Sequence, residues 1–236
     1  MRPTSITAIR PAGRPTAAAR GSASGGSGGL CCVVLDTGRR LRVTIDDVAR
    51  CGLLEGASLA PEIVARLVAR DAYLGARERA LRLLAIRPRS ADEIRVRLGQ
   101  QRVPREIARA VIADLTAAGY LDDLAFARFW VTQRRAARRY GPRRLRWDLR
   151  RKGVSAAVAD QALSEAVGGD EEARGADERA AAALVQRALA ADRRLPPDRR
   201  VRRLAALLER RGFTAETIAH TLRTIGVWAP LESSDG

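Results

Sequence analysis

Residues 145–163 read LRWDLRRKGVSAAVADQAL, and apolar residues recur through this stretch at a regular spacing. The steps are four, five, four and five residues, and the positions are Leu145, Leu149, Val154, Val158 and Leu163. A step of four keeps two side chains on one face of a helix. The first step of five contains Gly153 and is followed by Ser155, which suit the end of one helix and the N-cap of the next. The stretch therefore predicts two helices joined by a tight turn.

The same spacing occurs in two further places in the chain. The positions there are Ile94, Leu98, Val103, Ile107 and Ile112 in one copy, and Leu204, Leu208, Phe213, Thr217 and Leu222 in the other. Each copy is preceded by one more helical stretch, at residues 77–86, 123–139 and 178–191. Units of this kind bury their faces against their neighbours. The predicted fold class is therefore all-α, an elongated tandem array of three-helix repeats.

The first seventy residues have a different pattern. Two β-branched runs, residues 30–35 and 41–45, flank Asp36-Thr37-Gly38, which predicts a β-hairpin. Short helices are expected after it, the second from Pro61 to about Arg70, and this small subdomain must dock on the first helical repeat. Residues 1–29 contain no acidic residue and end in GSASGGSGG, which predicts a disordered tail. A transit peptide has a similar composition, but no amphipathic periodicity supports one here.

These patterns give a prediction of the domain organisation. A glycine-rich acidic stretch, GGDEEARGADE, separates the second and third repeats and is interpreted as a linker. The predicted segments are a disordered tail (1–29), a β-hairpin with short helices (30–70), repeat 1 (71–121), repeat 2 (122–169), the acidic linker with repeat 3 (170–226) and a C-terminal tail (227–236).

The charge balance of the chain favours an anionic partner. The formal net charge is +16, and of the 43 basic residues only Lys152 is a lysine. Such an excess points to nucleic acid or an acidic protein surface. No apolar run is long enough to span a bilayer, and no signal-peptide core follows Met1, so we expect no membrane association. Three cysteines without metal-ligand spacing (Cys31, Cys32, Cys51) favour neither a disulfide framework nor a zinc site, which suits a reducing cytoplasm.

Positive charge is densest at residues 134–152, RRAARRYGPRRLRWDLRRK, with ten basic residues and one acidic residue. The candidate binding residues are Arg134, Arg135, Arg138, Arg139, Arg143, Arg144, Arg146, Trp147, Arg150, Arg151 and Lys152. The first four should lie on the flank and back of their helix, in solvent. Arg143, Arg146 and Arg150 share a face of the next helix, away from its leucines. A merely solvated basic face is the alternative, and repulsion between so many like charges speaks against it.

Trp147 lies beside this basic face and has two possible roles. An aromatic ring among guanidinium groups can stack on a base or on a side chain of a partner. It can equally pack against a neighbouring repeat. The sequence leaves both interpretations open.

The segment GYLDDLAFARFW, residues 119–130, predicts a helix start at Asp122. Phe126, Phe129, Trp130 and Gln133 are expected to form the core face of that helix. Asp122 and Asp123 could in principle be a catalytic or metal-binding pair, but adjacent side chains point in different directions and no further ligand is placed to complete a site. His220 is the only histidine, and no phosphate-binding glycine loop is present. We therefore expect no catalytic residues, no metal and no cofactor.

The runs YLDDLAFARFW (120–130) and RRYGPRRLRWDLRRKGVSAAVADQAL (138–163) resemble the signature of the RecX family of bacterial recombination regulators. Residues 80–123 resemble the first repeat of that family, and residues 39–75 are similar to an N-terminal extension of its longer members. The resemblance covers about 30–226 and is weaker in the third repeat. The positions that match the signature are Tyr120, Leu121, Asp122, Asp123, Phe126, Ala127, Gly141, Leu145, Leu149 and Gly153.

The resemblance implies a non-enzymatic modulator of the RecA recombinase, acting in DNA repair, homologous recombination and the SOS response. It implies a curved rod, which lies in the groove of a RecA filament and inhibits RecA ATPase activity and strand exchange. The expected partners are the RecA filament and single- or double-stranded DNA, bound weakly or through RecA. We expect a cytoplasmic monomer. The alternative is a general helical DNA-binding protein without a RecA role, and a nuclease is a remoter third class.

Overall fold

The computed structural model describes residues 4–11, 29–138, 140–166, 170–191 and 195–228. The chain divides into two compact units, described separately below. The first consists of Met1–Arg89 and Glu93–Leu121, and the second of Ser90–Asp92 and Asp122–Gly236. Helices predominate in both, and a small strand subdomain lies at the N-terminus, so the coarse prediction of a mostly helical fold is confirmed. None of the described helices is both long and apolar enough to cross a membrane.

The first unit begins with a four-stranded antiparallel sheet in the order β3-β2-β1-β4. Its strands are β1 (Thr4–Pro11), β2 (Leu30–Leu35), β3 (Arg40–Thr44) and β4 (Ser58–Leu59), with helix α1 (Ile45–Arg50) between the last two. Strand alternation turns one side chain in two toward a core, where Val33, Leu41 and Val43 are fully buried. The predicted hairpin corresponds to β2 and β3.

The predicted disordered tail is wrong for residues 4–11, which form β1. The strand lies between β2 and β4, and its Ile6 is 1% exposed in the core of the sheet. A single short strand, separated from its partner by a glycine- and serine-rich stretch, has too weak a pattern to be recognised in sequence. The rest of the predicted tail, except Gly29, lies outside the described residues.

Three helices complete the first unit: α2 (Pro61–Ile86), α3 (Ala91–Gln100), whose first two residues belong to the second unit, and α4 (Arg105–Ala117). The predicted break after Arg70 is wrong, because α2 is one helix of 26 residues. The only proline in α2 is its first residue, and the two halves of the helix pack into different hydrophobic cores. Leu67 packs under the sheet, whereas Ala76 and Ala80 pack against α3 and α4.

The part of the second unit that the structure describes has six helices after residues 90–92. They are α5 (Asp123–Arg138), α6 (Pro142–Arg151), α7 (Ala156–Glu165), α8 (Asp170–Ala191), α9 (Pro197–Arg211) and α10 (Ala215–Thr224). One core lies among α5, α6 and α7, and another among α8, α9 and α10. The predicted linker is wrong from residue 170 onward, because α8 begins there. Acidic residues in a first helical turn are stabilised by the helix dipole, so this acidic stretch suits a helix start.

The repeated apolar pattern locates the middle helix of each three-helix group correctly. Ile94 and Leu98 on α3 are fully buried, and their equivalents on α6 and α9 are equally inaccessible. On the following helices α4 and α7 the first apolar position of the pattern is displaced by one residue, whereas Leu163 on α7 is buried as predicted. Ala108 and Ala159 are buried, whereas Ile107 and Val158 are only half-buried. Alanines make the close helix contacts there, and a search for large apolar residues overlooks them.

The turn after each middle helix has a left-handed backbone. Gly153 and Gly212 have φ of 76° and 85°, as expected for a helix C-terminus, but Arg102 occupies the equivalent position in the first group with φ of 60°. Replacing the exposed Arg102 with glycine should raise the free energy of unfolding by about 0.5–1 kcal/mol, because glycine removes this strain. Urea denaturation measures the change.

A matched control separates backbone strain from loss of the arginine. Arg109→Gly, at an exposed position within α4, should instead lower the stability by about 1 kcal/mol, since glycine disfavours a helix interior. Destabilisation by both changes would contradict strain at Arg102.

Candidate functional site

Helix α6 carries the densest positive charge among the described residues. Pro142 at its first position suits a helix start, and Leu145 and Leu149 are fully buried on its inner side. The residues on the opposite side follow helical spacing, and we call them the basic face of α6: Arg143, Arg146, Trp147, Arg150 and Arg151. The leucines therefore fix which way the arginines point.

The arginines of this face differ in how strongly they are held. Arg146 places Nε 2.5 Å from Oδ1 of Asp160 on α7, but both side chains are about half exposed, so this ion pair contributes little to stability. Arg143 and Arg150 are exposed, and their side chains form no ion pair within the part of the chain described. These two are the guanidinium groups most available to an external anion.

A second set of contacts, on α6 and just before it, alternates aromatic rings and guanidinium groups. Arg144 Cζ lies 5.6 Å from the centre of the Tyr140 ring and 4.5 Å from that of Trp147, and Arg151 Cζ lies 4.6 Å from Trp147. We call these four residues the cation–π ladder. Each contact at an exposed site contributes about 0.5–1 kcal/mol. Trp147 is 45% exposed and contacts arginines of its own helix.

Trp130 on α5 has a similar environment. Arg134 Cζ lies 4.3 Å and Lys152 Nζ 4.2 Å from the centre of its ring. Two of the predicted binding cations are therefore held against a half-buried ring that packs on the core of α5, α6 and α7. The aromatic residues of this segment restrain neighbouring positive charges, which explains how the fold tolerates them.

The predicted core face of α5 is only partly right. Phe126 is 2% exposed, but Phe129 is 43% exposed and Gln133 also lies in solvent. The buried residues beside Phe126 are Ala127 and Val131, four residues apart on one face. Because Ala127 is small, the spacing of the large aromatic residues placed the predicted face too far around the helix.

The prediction that Arg135 lies in solvent is wrong, because an ion pair holds its side chain within the fold. Its Nη2 lies 2.7 Å from Oδ1 of Asp177 on α8, and the two side chains are 20% and 11% exposed. Burial raises the pKa of the Asp177 carboxyl, although Arg135 opposes that shift. A raised pKa in the folded state means that this carboxyl contributes more stability at low pH and less as the pH rises through it. Arg139 and the Arg138 side chain lie outside the described residues.

Arg135→Met should lower the free energy of unfolding by roughly 2–3 kcal/mol, because it leaves the Asp177 carboxylate buried without its partner. The double variant with Asp177→Leu should recover most of this loss, since two apolar side chains can fill the same space. Urea denaturation of both variants measures the difference. A single variant as stable as the wild type would show that Arg135 is free to bind elsewhere.

The acidic pair at the start of α5 caps helices. Oδ1 of Asp122 accepts hydrogen bonds from the backbone N–H groups of Leu124 at 2.8 Å and Ala125 at 3.0 Å, which confirms the predicted N-cap. Oδ1 of Asp123 accepts a bond of 2.8 Å from the N–H of Ala91, at the start of α3. No cluster of side chains among the described residues could hold a metal ion.

The first N–H groups of α6 are satisfied by the end of α9. Gly141 donates to the carbonyl oxygen of Arg211 at 2.9 Å, and Arg143 donates to that of Gly212 at 3.0 Å. The N-terminus of a helix often binds anions through such groups. Here they are occupied, so an anion would have to bind to the side chains of α6.

The signature positions have mainly structural surroundings. Leu121, Phe126 and Ala127 are each buried, and Tyr120 is 40% exposed. A Cβ atom on Gly153 would approach Cβ of Asp92 to 2.1 Å, so only glycine fits that position.

Tyr140, which completes the ladder, was missed as a site residue. It precedes α6, so helical spacing does not connect it to Arg144, and the only signal in the sequence is an aromatic residue inside the basic run of residues 134–152.

Helix α9 also presents arginines. Arg199, Arg202 and Arg210 are exposed, and no aromatic residue occurs within α9. These side chains are accessible and could extend the basic surface. They lack the restraint that the rings provide on α6.

Two family models match the chain. One describes the second three-helix domain of RecX and matches residues 122–163, and the other describes the first three-helix domain and matches residues 76–115. The basic face of α6 lies within the first of these matches.

Curated relatives named regulatory protein RecX are similar over much of their length. The relative from Thermobifida fusca is 38% identical over 160 residues, covering 68% of this chain and 79% of the relative. The relative from Streptomyces coelicolor is 38% identical over 145 residues, covering 61% and 74%. The one from Lactobacillus delbrueckii subsp. bulgaricus is 31% identical over 153 residues, covering 65% and 56%.

Two solved structures share the fold. A crystal structure of regulatory protein RecX has a TM-score of 0.73 at 21% identity and covers 93% of this chain and 99% of its own. A crystal structure of RecX from Lactobacillus salivarius has a TM-score of 0.60 at 16% identity, covering 67% and 99%. At these identities the likeness concerns the fold alone.

Proposed function

The chain belongs to the RecX family, and from this we propose that it regulates homologous recombination by binding RecA filaments on DNA. In this proposal it lowers the ATPase activity of RecA and its strand exchange without itself being an enzyme. Cytoplasmic location, a monomeric state and a part in the SOS response belong to the same proposal.

The observation that carries the proposal is the basic face of α6. Buried leucines fix its direction, two of its arginines have neither an ion-pair partner nor a ring contact among the described residues, and its helix falls inside a matched RecX domain. A filament of protein on DNA offers phosphate groups and acidic side chains in a repeating groove. A side chain face of this charge is attracted to such a groove and bound there by charge-assisted hydrogen bonds.

Regulation by occupancy needs no chemistry from this chain. We propose that the three-helix groups form an elongated array and contact successive RecA subunits, so that several weak contacts act together through their high effective concentration. A filament held in this way cannot pass freely through the states that ATP hydrolysis and strand exchange require. Asp122 and Asp123, which cap helices, have no catalytic part in this scheme.

A comparison of two substrates tests the proposal. The affinity of the chain is measured for a single-stranded oligonucleotide, bare and coated with RecA, at one salt concentration. A filament regulator should prefer the coated strand. Equal or weaker binding to the coated strand would contradict the proposal.

A general DNA-binding protein is the second candidate, and the exposed Arg199, Arg202 and Arg210 on α9 favour it. Such a protein would bind bare duplex tightly, and its affinity would fall steeply with salt. The same comparison separates the candidates, because a DNA-binding protein without a RecA role gains nothing from RecA on the strand.

A further inference from the structure

The cation–π ladder fixes the position of two guanidinium groups on α6. Arg144 precedes Trp147 by three residues and Arg151 follows it by four, so they reach the ring from opposite ends along the helix. Arg144 is held further by Asp148, whose Oδ1 lies 3.3 Å from its Nε. An arginine held through its planar face keeps N–H groups at its edge for a planar anion.

The spacing of charge on α6 suits a nucleic-acid strand. The helix has ten residues, five of them arginine, and the two arginines that contact Trp147 lie seven residues apart, about 10 Å along its axis. The phosphates of one DNA strand follow each other at about 3.4 Å along the axis of a duplex. A strand therefore offers a phosphate within reach of each of these two arginines, which favours a regular series of phosphate groups over scattered carboxylates.

We infer that Trp147 is a positioning residue, which promotes phosphate binding by holding Arg144 and Arg151 and does not stack on a base. The inference deepens the proposed function and rests on it for the identity of the anion. Free arginine side chains lose conformational entropy when they bind, and side chains already held against a ring lose less. Arg144 and Arg151 on the same helix already contact the ring of Trp147, so the ring is occupied before any base binds.

The test is Trp147→Leu, with affinity for a fluorescein-labelled oligo-dT strand measured between about 50 and 200 mM salt. The variant keeps every charge. Its affinity should nevertheless fall about tenfold at low salt, because the two released side chains cost more entropy to order and no longer keep their phosphate contacts. The slope of log affinity against log salt should become shallower by about 1.4, because each lost phosphate contact on a single strand accounts for about 0.7.

A strand that lacks bases separates positioning from stacking. If Trp147 acts through the arginines, Trp147→Leu weakens binding to an abasic strand as much as to oligo-dT. If Trp147 stacks on bases, the variant weakens binding to oligo-dT alone and leaves the salt slope unchanged, which overturns the inference.

Two further variants complete the experiment. Trp147→Phe retains a ring that attracts cations less strongly and should recover part of the affinity, whereas Arg151→Gln should reduce the slope by about 0.7. Circular dichroism checks folding, which the exposed position of Trp147 should leave intact. If the wild-type chain binds only the RecA-coated strand, the slope is measured there.

The outcomes distinguish the two proposals. A wild-type chain that binds neither bare nor coated DNA overturns the proposed function and the inference with it. A wild-type chain that binds, with an unchanged slope for Trp147→Leu, overturns the inference and leaves the proposed function standing.

Discussion

Replacing Gly212 with alanine is expected to lower the free energy of unfolding of the second unit by about 3 kcal/mol, combining backbone strain with overpacking. Gly212 has φ of 85°, a conformation that an L side chain rarely adopts. A Cβ atom there would also lie 2.3 Å from the backbone N of Arg144. Neither the helix end nor the start of α6 can move away without breaking the hydrogen bonds that join α9 to α6.

Gly226→Ala is the matched control for this change. Gly226 also has a positive φ, 72°, but a Cβ atom added to it would meet nothing within 4 Å. The free energy of unfolding of Gly226→Ala should therefore fall by the backbone strain alone, about 1 kcal/mol. Chemical denaturation followed by circular dichroism measures both. If the free energy of unfolding fell equally in the two variants, the backbones of α9 and α6 could move apart at their junction with little loss of stability.

The second large effect concerns function. The double variant Arg143→Glu with Arg150→Glu should bind RecA filaments about a hundredfold more weakly, because two charge-assisted hydrogen bonds, at about 1.5 kcal/mol each, are lost. Both arginines are exposed and form no ion pair in the described part of the chain, so the fold should be unaffected. Arg146 is a poorer choice for reversal, since it would place a glutamate beside Asp160.

Arg105→Glu with Arg109→Glu changes the net charge by the same amount at exposed positions on α4. This control should lose only a few-fold in filament affinity through long-range repulsion, which salt screens. Fluorescence anisotropy of labelled protein titrated with RecA-coated DNA measures both variants. Equal weakening by the two pairs would show that total charge matters and the face does not.

The sequence predicts those parts of the fold that large apolar residues and helix ends determine. Leu145 and Leu149 are buried as their spacing requires, and Asp122 caps α5 as predicted. The predictions failed where small residues make the contacts between helices. Ala127, Ala108 and Ala159 make contacts that a search for large side chains overlooks. Strand β1 was not predicted because the strands that pair with it, β2 and β4, lie far away in the sequence.

The candidate site, like the fold, could be predicted only in part from the sequence. The charge of residues 134–152 and the direction of the α6 arginines follow from helical periodicity. The state of each arginine does not, because it depends on contacts between helices. Arg135 is paired with Asp177 on a different helix, at a distance of 42 residues along the chain, and no local pattern reveals that. The part of the ladder from Arg144 to Arg151 follows the spacing of a single helix, whereas Tyr140 precedes α6 and its contact with Arg144 has no such pattern.

We propose that this chain binds RecA filaments on DNA, and the ATPase rate of RecA tests this proposal most directly. The protein is added in substoichiometric amounts to filaments formed beforehand on single-stranded DNA, with and without an excess of bare competitor DNA. We expect the rate to fall progressively and the competitor to leave that fall in place. An unchanged rate, or a full recovery on adding bare DNA, would contradict the claim and leave only binding of nucleic acid to the basic face of α6.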